Sequence, residues 1–86
     1  MRIGVLSDTH LRTADQRLPS QLLEAFRSVD LILHAGDWVD ICVLEQLETL
    51  AQVQGVYGNM DNEAVRGRFP DLQETEIEGF RVVLTH

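Results

Sequence analysis

The chain has 86 residues, 44% of them hydrophobic and 24% charged, a balance that suits one small folded domain and excludes a disordered chain. Its formal net charge of −7, with all seven basic residues arginine, opposes nucleic-acid binding, which needs a basic surface. No apolar run approaches the roughly 20 residues of a membrane span, the N-terminal run is too short for a signal peptide, and the single Cys42 makes no internal disulfide. A cytoplasmic protein is expected, with Cys42 as a small buried residue of a helix.

Residues 2–6 form a nearly continuous aliphatic run, the pattern of a parallel strand covered on both faces. It closes in Ser7-Asp8-Thr9-His10, which sets a carboxylate and an imidazole on the same side of extended backbone. Leu18-Pro19 opens a helix to about Ser28, with Leu22, Leu23, Phe26 and Val29 at helical spacing. A second apolar strand over 30–35 runs into Gly36-Asp37 and completes a βαβ unit. Ile41, Val43, Leu44, Leu47 and Leu50 make the apolar stripe of a helix over 40–51. A strand over 53–57 then meets Gly58-Asn59-Met60-Asp61, a turn cluster suited to capping a short helix over 62–66. Residues 73–77 and 80–85, separated by Glu78-Gly79, predict a β-hairpin. The expected fold is α/β, βαβαβ followed by a hairpin. The chain stops at His86, directly after a strand, and is read as truncated there.

If these strands are neighbours in one sheet, their carboxyl ends bring Asp8, His10, Asp37, Asn59 and His86 to one crevice. Imidazole and carboxylate together suit Mn, Fe, Co, Ni or Zn better than calcium. Asp37 can bridge two ions through its two oxygens, and Asn59 adds a neutral amide oxygen. Two ions about 3.5 to 4 Å apart clamp a phosphoryl group and generate a hydroxide nucleophile. Gly36 and Gly58 let backbone and phosphate approach closely. Each residue also has a plainer reading: Asp8 and Asp37 as caps, His10 as a surface histidine, Asn59 as a turn residue. His34 reads as a core histidine or one supporting a ligand from behind, Trp38 as core or pocket wall, and Arg66 and Arg68 as solvated or facing an anionic substrate.

Asp8-x-His10, Gly36-Asp37, Gly58-Asn59 and His86, in this order, resemble the calcineurin-like metallophosphoesterase superfamily. Val5-Leu6-Ser7-Asp8-Thr9-His10, His34-Ala35-Gly36-Asp37 and Gly58-Asn59-Met60-Asp61 resemble its small bacterial and archaeal phosphodiesterase branch. The resemblance implies that residues 1–86 are the N-terminal half of a four-layer α/β/β/α sandwich. It implies two divalent ions, manganese above all, with Asp8, His10 and Asp37 holding one and Asp37, Asn59 and His86 the other. Catalysis is assigned to Asp37 and Asn59, with a metal-bridging hydroxide attacking the phosphorus of a small phosphodiester. Met60 stands where many members carry a histidine that protonates the leaving group. The family's later Gly-His-x-His motif is not in these residues, so this fragment alone is expected to be inactive. The competing expectation is a non-catalytic interaction scaffold of the same fold, like the retromer subunit. Apolar surface left by an unfinished sheet favours association of copies.

Overall fold

The computed structural model describes residues 1–9, 17–39 and 41–86, and in it the apolar runs alternate as strands and helices. Their order is β1 (Ile3–Leu6), α1 (Ser20–Ala25), β2 (Leu31–His34), α2 (Cys42–Glu48), β3 (Gln52–Gly55), α3 (Glu63–Arg68), β4 (Leu72–Ile77) and β5 (Phe80–Thr85). The first three strands make a parallel sheet in the order β1-β2-β3, pairing Ile3 with Leu31 and Leu31 with Gln52. All four residues of β2 are buried, as its unbroken aliphatic sequence requires of a central strand covered on both faces.

Side chains alternate across that strand and serve two apolar clusters. Ile32 packs with Trp38, Val43, Leu47 and Val65 under the helices, where buried Cys42 also sits. Leu31 and Leu33 pack on the opposite face with Val56, Ile77 and Leu84. The last two come from β4 and β5, which among the described residues pair only with each other in an antiparallel hairpin. Glu78 and Gly79 both take positive φ, 50° and 85°, as a two-residue type I′ turn demands. The hairpin is therefore a second layer on the parallel sheet, not a continuation of it. This corrects the expectation of one shared sheet edge: His86 arrives because the hairpin packs face to face against β2.

Element boundaries differ from the periodicity at several ends. Pro19 is the N-cap of α1, and the chain leaves the helix at Phe26, where Val29 N–H donates to the Phe26 carbonyl three residues back. Leu22, Leu23, Phe26 and Val29 still pack on the core, so apolar spacing outlasts the helix itself. The helix expected over 40–51 is regular only as α2, because Leu50 N–H turns in tightly to Leu47; Asp40 lies outside the described residues. β3 begins and ends earlier than the strand expected over 53–57, since Tyr57 N–H leaves the sheet for the Pro70 carbonyl. α3 starts after Asn62, whose side chain accepts from Val65 N–H as an N-cap. Among the described residues no helix is long and apolar enough to cross a membrane.

Candidate metal centre

Three loops at the carboxyl ends of β1, β2 and β3, together with the end of β5, build the site. Asp8 leaves β1 with φ 56° and Asp37 leaves β2 with φ 60°, both in the left-handed region that aspartate enters more readily than most non-glycine residues. The backbone N–H of Asp8 donates to the Gly36 carbonyl at 2.9 Å, which ties the first loop to the second. Ser7 Oγ donates to Asp8 Oδ2 at 2.8 Å.

Asp37 sits between the second and third loops. Its Oδ1 accepts from Met60 N–H at 2.9 Å, and its Oδ2 lies 3.3 Å from His86 Nε2. The third loop passes so close to this carboxylate that a Cβ on Gly58 would collide with Asp37 Oδ1 and the Asp37 nitrogen. Gly36, at φ 108°, is similarly pressed: a Cβ there would come within 2.8 Å of His86 Nδ1. Glycine at both positions is what allows the carboxylate and the imidazole to converge.

His86 Nδ1 lies 2.8 Å from the Ala35 carbonyl oxygen, which can only accept, so Nδ1 carries a proton and the ring is held with Nε2 toward Asp37. Backbone anchoring of one ring nitrogen is the arrangement that orients the other toward a metal. One ligand atom each from Asp8, Asp37 and His86 lies within 4.8 Å of the other two. Two carboxylates and an imidazole nitrogen at that spacing are a donor set for a divalent transition ion, so the residues fit the group the resemblance implies. Asn59 is exposed and lies between Gly58 and Met60, both of which touch Asp37. His10 lies outside the described residues.

Asp61, read from sequence only as part of a turn, proves central. It is buried, and its carboxylate accepts backbone N–H groups from Asp37 at 3.0 Å, Gly58 at 2.7 Å and Val39. Val39 is β-branched at φ 75°, an unusual conformation that this bond helps hold. The available signal was a second acid three residues after Gly58, beside the capping Asn62. Arg66 is likewise more than a solvated cation: its guanidinium reaches the Asp61 and Asn59 carbonyls at 3.0 and 3.3 Å and lies over the Tyr57 ring.

His34 and Trp38 form the floor. Trp38 is fully buried, stacks between His34 at 3.8 Å and Phe69 at 4.5 Å, and donates Nε1–H to the Val56 carbonyl. His34 Nδ1 accepts from Gly36 N–H at 3.1 Å, which leaves Nε2–H to donate to Thr9 Oγ1 at 3.1 Å. Burial pushes the His34 pKa down from 6.5 to about 3, opposed by Asp8 and reinforced by His86, so the ring is neutral. The unfolded chain takes up this proton below its ordinary pKa while the folded chain does not, so stability falls as pH drops from about 6.5 toward 3. His34→Gln is expected to flatten that slope by up to one proton, on the order of 1 kcal/mol per pH unit. Urea unfolding of metal-free protein across this range is the measurement; an unchanged slope contradicts the assignment.

The chain matches the family model of the calcineurin-like phosphoesterase superfamily domain over residues 1–86. It is 48% identical over 90 aligned residues to a probable metallophosphoesterase of Methanothermobacter thermautotrophicus, covering 100% of this chain and 49% of that protein. A phosphodiesterase of Methanocaldococcus jannaschii is 29% identical over 100 aligned residues, covering 100% of this chain and 58% of the relative. The chain thus spans about half the length of the curated relatives it matches. Among solved structures, Vps29 from Entamoeba histolytica superposes with TM-score 0.80 at 22% identity, over 100% of this chain and 48% of that one. A Zn-complexed Vps29 from the same organism gives TM-score 0.79 at 24% identity, again over 100% and 48% of the two chains. Family match, relatives and fold agree with the ordered motifs at the strand ends: this chain belongs to the calcineurin-like phosphoesterase superfamily.

Proposed function

We propose that residues 1–86 supply the N-terminal part of a single metallophosphoesterase domain, and that the intact protein is a metal-dependent phosphodiesterase acting on small phosphodiesters. The observation that carries this reading is the convergence of Asp8, Asp37 and His86 within 4.8 Å. These three residues hold divalent metal, joined by His10 and Asn59 at the positions the family motif assigns. Such ions supply Lewis acidity and lower the pKa of bound water. Manganese is the proposed occupant, with nickel, iron, cobalt or zinc compatible with the same donors.

The protein's own part is positional. Asp37 has one oxygen fixed by Met60 N–H, and His86 is oriented by its backbone contact. Glycines 36 and 58 keep the walls free of side chains, so an anionic phosphoryl group can approach the donors. The scaffold reading rests on fold likeness to Vps29, and since a Vps29 is itself complexed with Zn, the names of the curated relatives, not the donor set, favour hydrolysis over it.

The intact protein, purified and stripped of metal, is expected to hydrolyse bis(p-nitrophenyl) phosphate only when a divalent ion is restored, with manganese most effective. Turnover returning with p-nitrophenyl phosphate alone would move the assignment to phosphomonoesters. No turnover of either compound with any of the five metals would leave the scaffold reading as the better one.

A further inference from the structure

We propose that Thr9 is a positioning residue for the metal donors, acting through its side-chain hydrogen bond to His34. This deepens the proposed function and rests on the reading that Asp8, Asp37 and His86 bind metal.

Asp8 is exposed at φ 56°, a sparsely populated conformation, and hydrogen bonds on both sides of it fix the loop there. On one side its own N–H donates to the Gly36 carbonyl at 2.9 Å. On the other, the next residue's hydroxyl, Thr9 Oγ1, lies 3.1 Å from His34 Nε2. The same His34 ring accepts Gly36 N–H through Nδ1 at 3.1 Å. One buried imidazole therefore joins the loop that carries Asp8 to the loop that carries Asp37. The ring cannot shift to follow either loop, because it is fully buried and stacked on Trp38 at 3.8 Å. Thr9 is thus the point where a rigid floor grips the first loop.

The hydroxyl bonds a side chain, not the local backbone, so it does nothing for the regularity of β1, which ends at Leu6. Its energetic value to folding is that of one ordinary, partly buried hydrogen bond. Its value to the site is larger, since donors must be held within about 0.5 Å of their working geometry. Losing the grip frees Asp8 to relax out of the left-handed region and away from the other two donors.

The test uses the intact protein and isothermal titration with Mn²⁺ and Zn²⁺ separately, which needs no catalysis. Thr9→Val keeps the shape of the side chain and removes the hydroxyl; it is expected to weaken metal binding about tenfold. Thr9→Ser keeps the hydroxyl and is expected to restore wild-type affinity and unfolding midpoint, while the metal-free midpoint of Thr9→Val falls by only the few degrees that one partly buried hydrogen bond accounts for. In a His34→Asn background, where an acceptor for Gly36 N–H remains and the partner of Thr9 is gone, Thr9→Val is expected to add nothing. Wild-type affinity in Thr9→Val, or a loss that serine does not restore, overturns the proposal while leaving the phosphodiesterase reading intact. Failure of the wild-type protein to bind either ion overturns both.

Discussion

Asp37→Asn in the intact protein is expected to lower divalent-metal affinity and metal-dependent phosphodiester turnover by at least about 100-fold, the upper end of what is lost when even a supporting neighbour of a ligand is removed. The substitution isolates chemistry from folding. Asparagine tolerates the left-handed backbone at φ 60° nearly as well as aspartate, whereas alanine there is strained. It also keeps one oxygen to accept the Met60 N–H that Oδ1 now accepts at 2.9 Å. What it changes is the other atom, Oδ2, which lies 3.3 Å from His86 Nε2 and becomes an amide NH₂ aimed at the remaining donors. Negative charge is lost and a donor is lost together, so both attraction for a cation and the capacity to bridge disappear. Unfolding midpoints should stay close to wild type in the metal-free proteins, while calorimetric metal binding and hydrolysis collapse. Full metal content and full turnover in Asp37→Asn would remove Asp37 from the site.

Much of this arrangement was legible because it depends on short-range pattern. Unbroken aliphatic runs over 2–6 and 30–35 specify parallel strands, and the acids just beyond them fall where such strands end; the run over 30–35 is the buried central strand, whereas β1 lies at the sheet edge with Val5 exposed, so the expectation that it is covered on both faces does not hold in this structure. Glu78-Gly79 between alternating runs gives the hairpin its turn, which the positive φ values match. Less legible was anything decided by tertiary contact. The periodic apolar residues after Ala25 pack on the core without being helical, so spacing overstated α1. The hairpin's strand pattern is the same whether it extends a sheet or covers one, and only the packing of Ile77 and Leu84 on Leu31 and Leu33 decides. Likewise Thr9 lies 25 residues from His34 and Asp37 lies 24 from Asp61, and no motif spacing encodes either bond.

Asp61→Ala is expected to destabilise the intact protein by about 4 kcal/mol, because three backbone N–H groups lose a charged acceptor and each such bond contributes roughly 1.5 to 3 kcal/mol. The sum is less than three independent losses, since the chain relaxes and water reaches some of the freed donors. The donors are Asp37, Val39 and Gly58, on two separate loops, so a single buried carboxylate fastens the second loop to the third. Arg66 secures the same turn from outside through the Asp61 and Asn59 carbonyls, a contact that the alanine variant retains. That outer clamp cannot replace the inner one. It grips carbonyls, and the orphaned groups are N–H donors at buried or half-buried positions. The unfolding midpoint should fall by about 10 °C for a protein of ordinary size. Asp61→Asn is expected to do almost as badly, since its amide nitrogen must face one of the N–H groups and repel it. Metal affinity should fall in both variants even at temperatures where they are fully folded, because Asp37 takes its backbone position from Asp61. A variant that unfolds within about 2 °C of wild type would show that the strained backbone at Asp37 and Val39 is held by packing alone.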